Sequence, residues 1–158
     1  MLSKSKEKHL LQVYFNTKNS KNVPSHIAQL GAPDSDITDE ELHFITKYVV
    51  TIDRVFLSNS FVTEEGLLLL KKLRQVCYLD LTGLPLNDEN LDCILHFDQL
   101  EYLDVNRTKI SPHGIYRILQ SFPKLETLIA SIPSKEAHFQ PSWEKEFPRC
   151  HISLSITD

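Results

Sequence analysis

VCYLDLTGLPLNDENL (residues 76–91) and LEYLDVNRTKISPHGI (residues 100–115) decide the reading of this chain. Both run apolar-x-x-Leu-x-apolar, with further apolar residues seven and twelve positions beyond the second leucine. Carried outward, the same ruler lands on Leu30, Val55, Leu79, Leu103, Leu128 and Ile152, at spacings of 25, 24, 24, 25 and 24. A beat held through six copies is an internal repeat, and it governs every other inference.

The companion positions keep time. Ile27, Ile52, Val76, Leu100 and Leu125 precede the marker by three, and Ala32, Leu57, Leu81, Val105, Ala130 and Leu154 follow it by two. Ile37, Val62, Leu86 and Ile110 follow by seven, a column that Lys135 breaks in the fifth copy. Helix starts come next, in Thr38-Asp39-Glu40-Glu41, Thr63-Glu64-Glu65-Gly66, Asn87-Asp88-Glu89-Asn90 and Ser111-Pro112-His113-Gly114. Each opens with a capping residue, and Pro112 takes the first helical position, where its missing N–H is harmless. Leu42/Ile45, Leu67/Leu70, Leu91/Ile94 and Ile115/Ile118 then supply a buried helical stripe.

This pattern resembles the leucine-rich repeat family, in particular its ribonuclease-inhibitor-like class, over residues 27–156. The T-x-x-G/E-L element is similar to that of short repeat proteins common in bacteria. The resemblance implies an α/β solenoid of about five to six repeats, with parallel concave strands, convex helices and a full helix in each repeat. One departure stands out: Ser60, Leu84 and Thr108 replace the family's usual asparagine or cysteine after the strand. A strand–helix unit of this size cannot bury its own apolar face, so neighbours must continue each other's core and the ends need lids. Residues 1–26 are expected to form a basic arm with a capping helix over SKEKHLLQVYF (5–15). Residues 136–149 are expected to replace the last helical stripe with a cap in which Phe139, Trp143 and Phe147 close the core. The final strand, 152–156, leaves an outer edge that invites a partner strand or a second copy, and a chain cut from something longer would bare the same edge.

Composition narrows the function classes. The formal charge of −4 divides into +4 over residues 1–22, from five lysines and Glu7, and therefore −8 over the remainder. A lysine arm without arginine reads as a solvated terminus, which argues against nucleic acid. No apolar run reaches the roughly 20 residues of a membrane helix. The lysine-bearing start lacks a small-residue cleavage site, so no signal peptide is expected. The odd set Cys77, Cys93 and Cys150, with no CxxC pair, fits reduced thiols in a cytoplasmic protein. Asn106-Arg107-Thr108 matches a glycosylation sequon, a coincidence in a chain without a secretory signal.

Alternation along each strand turns the residues between the leucines outward. One outward column is Gln29, Arg54, Tyr78, Tyr102, Thr127 and His151; the other is Gly31, Phe56, Asp80, Asp104, Ile129 and Ser153. Aromatics and arginine in one patch have the composition of binding hot spots, so Arg54, Phe56, Tyr78, Asp80, Tyr102, Asp104, Arg107 and Ile129 are the candidate protein-binding residues. Asp53, Asp80, Glu101, Asp104 and Glu126 against Arg54 and Arg107 leave this surface at −3, which favours a partner with a basic contact face. A simple stack of Tyr78 on Tyr102 is the plainer alternative.

Catalytic patterns are missing. Only four glycines occur, none in a phosphate loop, and the seven histidines form no metal-binding spacing. Cys150 and His151 adjoin in a strand and should diverge rather than pair as nucleophile and base. Asp80 and Asp104, in adjacent repeats, could share a proton or cation, but a solvated acidic ladder is the stronger reading. The sequence thus points to a non-enzymatic module, without cofactor or metal, that binds a protein as adaptor, scaffold or inhibitor/immunity-type protein, either as a monomer or in a hetero-complex. The alternative is an assembly subunit that uses the C-terminal strand edge and the basic arm, and forms edge-mediated dimers.

Overall fold

The computed structural model describes residues 2–158, and it is an α/β structure built on one six-stranded parallel sheet. The strands are β1 (His26–Leu30), β2 (Thr51–Phe56), β3 (Gln75–Asp80), β4 (Tyr102–Val105), β5 (Thr127–Pro133) and β6 (His151–Thr157), and they lie side by side in chain order. Register follows the sequence ruler: Leu30 pairs with Val55, Val55 with Leu79, Leu79 with Leu103, Leu103 with Leu128 and Leu128 with Ile152. All six are buried, and with the flanking columns they form one continuous apolar core under one face of the sheet. The first copy departs from the column in one place. The chain turns at Gly31, with φ 73°, and leaves Ala32 on the surface.

The connecting segments carry α1 (Lys4–Phe15), α2 (Asp39–Thr46), α3 (Glu64–Leu67), α4 (Pro112–Ser121) and α5 (Gln140–Glu146). A full helix in every copy is therefore not what forms. After β2 a single α turn tightens into a 3-10 segment, Leu68–Lys72, and after β3 only the 3-10 turn Leu91–Cys93 appears. Spacing explains the difference. The 25-residue intervals hold the longer helices α2 and α4, whereas each 24-residue interval contains 3-10 structure. A 3-10 helix rises about 2.0 Å per residue against 1.5 Å, so fewer residues bridge the same span. The third copy has a local cause as well. Asn87 Oδ1 accepts from the N–H of Glu89 and of Asn90, while Asn90 accepts from Asn87 N–H and donates to Pro85 O. Side chains that satisfy the backbone this way compete with a continuing helix.

Helical segments pack beside both ends of the sheet. Leu10 and Leu11 of α1 are buried, Phe15 meets Phe44 at 6.1 Å, and Tyr14 Oη donates to Glu41 Oε1 (3.0 Å). Lysines 4, 6 and 8 are carried on this helix, and Lys6 pairs with Glu40. At the other end, where a cap is expected to replace the helical stripe, residues 134–146 are helical, first 3-10 and then α5. Trp143 closes the core at 5% exposure, while Phe139 stacks on its outer side at 5.7 Å and stays 37% exposed. The turn positions share no ladder: Ser60 Oγ is buried without a partner, Leu84 is apolar core, and Thr108 Oγ1 donates back to Val105 O.

A second interlock ties the helical layer together. Asp39 accepts from both the N–H (2.9 Å) and the hydroxyl (2.6 Å) of Thr63, the residue that caps α3. Asp88 does the same for Ser111, the cap of α4. Each carboxylate lies against a glycine three residues past the cap. A Cβ on Gly66 or Gly114 would fall well inside contact distance of Asp39 Oδ1 or Asp88 Oδ1. The first and third copies, which donate the aspartate, satisfy their own caps internally, through the Thr38–Glu41 capping box and the Asn87–Asn90 pair.

Alanine in place of a helical glycine ordinarily stabilises by about 0.5–1 kcal/mol. Gly66→Ala is expected instead to destabilise by about 1–3 kcal/mol, since it evicts Asp39 from the α3 cap. In an Asp39→Ala background the same change should cost at least about 1 kcal/mol less, a coupling that chemical denaturation of the four-variant cycle measures. Additive effects would refute the interlock.

Candidate functional site: the open face of the sheet

Strand pairing places the predicted columns as two straight rows on the face opposite the core. Gln29, Arg54, Tyr78, Tyr102, Thr127 and His151 follow one another strand by strand. Phe56, Asp80, Asp104, Ile129 and Ser153 form the second row. Gly31, expected to head that row, lies just beyond β1 in the turn. Because two residues separate the first two apolar positions of each strand, a third row exists that the two-column reading did not assign. Asp53, Cys77, Glu101 and Glu126 occupy it, and the bonds Glu101 N–H to Cys77 O and Glu126 N–H to Glu101 O, both 2.8 Å, keep it in line.

Tyr78 and Tyr102 stack with centroids 4.0 Å apart and planes within 4° of parallel, and Phe56 tilts against Tyr78 at 5.0 Å. The three rings are half-buried, so the stack shields itself and still presents an edge to solvent. Such neighbours stabilise the sheet by roughly 0.2–1 kcal/mol per pair. Burial, followed by the neighbouring Tyr78 phenol, raises the Tyr102 hydroxyl above its ordinary value. Beside the rings a shallow cavity of about 370 Å³ is lined by Asp53, Arg54, Cys77, Tyr78, Glu101 and Tyr102. The Arg54 guanidinium and the Asp53, Glu101 and Glu126 carboxylates are exposed around it. His26 approaches Asp53 at 3.4 Å, with both side chains more than half exposed, a pairing of small energetic weight.

Asp80 and Asp104 do not form a free pair. Each accepts from the backbone N–H two residues on, Thr82 for Asp80 (3.0 Å) and Asn106 for Asp104 (2.8 Å), and so shapes the turn leaving its strand. Burial raises the Asp104 carboxyl above the usual range, against the opposing pull of the Asn106 N–H and the Thr82 hydroxyl. Arg107 sits past the edge of the strand rows at φ 55°, with its N–H on Ser131 Oγ (2.8 Å). Its guanidinium donates to Asn59 Oδ1 (3.1 Å), and Asn59 in turn donates to Asp34 (2.7 Å). Gly83 makes that reach feasible, because a Cβ there would stand 2.6 Å from Asn59 Oδ1. Arg107 is thus exposed but committed to the turns, whereas Arg54, Phe56, Tyr78, Tyr102 and Ile129 lie on the face itself.

The other chemistry is muted. Cys150 is buried and His151 exposed, so the two diverge. Burial pushes the Cys93 thiol up to about 12 and the Cys150 thiol up to about 11, which leaves both poor nucleophiles at neutral pH. Among the described residues no group of three His, Cys, Asp or Glu side chains could hold a metal ion, and no helix is long and apolar enough to cross a membrane. A separate cleft of about 320 Å³ between α4 and the end cap, near Phe122 and Phe147, is mainly apolar. No protein-family model matches the chain, and no curated protein matches it either.

A raised carboxyl in the folded state means that the unfolded chain loses its proton first as pH rises, so ionisation favours unfolding. Asp104→Asn keeps an acceptor for Asn106 and removes the charge. The variant is expected to melt at or above the parent at neutral pH, with the advantage gone below about pH 4, where the unfolded carboxyl is protonated as well. A parent that is the more stable at neutral pH, and loses that lead on acidification, would reverse the assignment.

Proposed function

We propose that this chain is a leucine-rich repeat solenoid of the ribonuclease-inhibitor-like class, and that it is a non-enzymatic cytoplasmic module binding a protein partner through its open, concave strand face. Support for the class comes from the chain-order parallel sheet, the 24–25-residue beat and the apolar columns that meet in register. The missing turn ladder and the 3-10 segments are departures from the regular pattern, not from its stacking logic.

The observation that carries the binding reading is the in-register run Arg54–Tyr78–Tyr102 with Phe56 beside it, half-buried rings next to a shallow cavity bordered by charged side chains. Stacked rings are already ordered, so docking against them costs little side-chain entropy. Aromatics and arginine of this kind are where binding energy concentrates. The acidic third row favours a partner that brings lysine or arginine, and it would speed encounter more than it would add affinity. Adaptor, scaffold and inhibitor/immunity-type roles all use such a surface. The non-enzymatic reading rests on how the polar groups are occupied: the aspartates hold turn N–H groups and the buried thiols sit high.

Affinity purification from the native cell, run in parallel with the parent and a Phe56→Ala/Tyr102→Ala variant, tests this. The expected result is a partner retained by the parent and weakened at least about tenfold by the double change, with circular dichroism unaltered. The on-rate should fall as salt rises. Equal capture by a folded double variant would sink the open-face reading.

A further inference from the structure

We infer that β6 is a self-association edge, on which two copies of this chain pair antiparallel about a twofold axis at Leu154 and join two six-stranded sheets into one. The inference stands apart from the open face and does not need a partner there.

Backbone geometry says which groups are free. His151 N–H donates to Glu126 O (2.8 Å), so the odd-numbered residues of β6 turn their backbone groups toward β5. Alternation sends those of Ile152, Leu154 and Ile156 to the opposite edge, where no further strand lies among the described residues. Gln140 Nε2 covers one of them, Ile152 O, at 3.2 Å. The N–H and C=O groups of Leu154 and Ile156 remain as a template for another strand.

Several features favour a second copy as the occupant. Between His151 and Thr157 there is no lysine, arginine, carboxylate, proline or positive-φ residue, so the usual devices that keep sheet edges apart are missing. The strand is also complementary to itself when reversed. With Leu154 on the axis, Ile152 faces Ile156, Ser153 faces Ser155, and His151 faces Thr157. Apolar side chains meet apolar ones on the core side, hydroxyls meet on the open side, and each imidazole meets an acceptor. The apolar row is unfinished in a single copy: exposure climbs from 3% at Ile152 to 52% at Ile156. Pairing would lay each Ile156 beside the buried Ile152 of the other chain. A β6-to-β1 contact would repeat without closing, whereas the twofold closes with two chains.

Sedimentation equilibrium of the full chain at micromolar concentration should return twice the single-chain mass. Ile156→Pro removes an outward N–H and spares the ladder to β5, so it should give a monomer with unchanged circular dichroism. Phe56→Ala should remain dimeric, which separates this edge from the open face. Register is read by cysteines in a Cys77→Ser background. Residues 153 and 155 of opposite chains would form a non-hydrogen-bonded pair with Cα atoms about 4.5 Å apart, within disulfide reach. Ser153→Cys/Ser155→Cys should therefore oxidise to a covalent dimer, and Ser153→Cys alone should not. A monomeric parent, a mass that keeps growing with concentration, a dimeric Ile156→Pro, or a double cysteine variant that stays uncrosslinked would each overturn the inference.

Discussion

A strand of four to seven residues followed by one short helical segment has more apolar surface than it can hide, and the rest of this molecule follows from that constraint. Burial becomes available only between neighbours, so the strands must lie parallel and in register for the Leu79 and Leu103 columns to meet. Once they do, the residues between the columns are aligned as well, whatever they are. Tyr78 reaches Tyr102 because Leu79 reaches Leu103. The face proposed for binding is a by-product of the core.

Legibility in the sequence followed the same division. Leu30 to Ile152 could be read because burial demands one residue type at a fixed interval and tolerates few errors. The outward rows came with them, since alternation is geometric. The helical layer was read less well. Leu91 and Ile94 carry the stripe of a helix and are fully buried, yet they sit in and beside a 3-10 turn. The stripe reports which side is buried and says little about whether i+3 or i+4 bonds deliver it there. What decided the matter was one residue of spacing and the amides of Asn87 and Asn90, a signal visible in the sequence but weaker than the apolar pattern. Residues 134–146 misled in the opposite direction, since Lys135 broke the column while a helix formed.

At the candidate site, identity was legible and occupation was not. Arg107 and the pair Asp80/Asp104 have the right chemistry for recognition, but the turns claim part of it, through Asn59, Thr82 and Asn106. Side-chain-to-backbone bonds of this sort depend on where the chain bends, which periodicity does not encode. Arg54, Tyr78, Tyr102 and Phe56 have no such competing duty in the turns, and they remain the centre of the face. The acidic third row was counted in the charge balance, but its alignment beside the rings emerges only from the two-residue gap between apolar positions.

The aspartate-to-cap interlock has an evolutionary corollary. Copies one and three give a carboxylate and keep a side chain at the third helical position; copies two and four receive one and carry Gly66 or Gly114 there. The unit that can be multiplied without penalty is therefore a pair of repeats, close to fifty residues, rather than a single one. Tandem duplication of one copy alone would set two donors or two acceptors side by side, leaving a carboxylate without its cap or a cap without its carboxylate. Lineages that lengthen this scaffold should grow by even numbers.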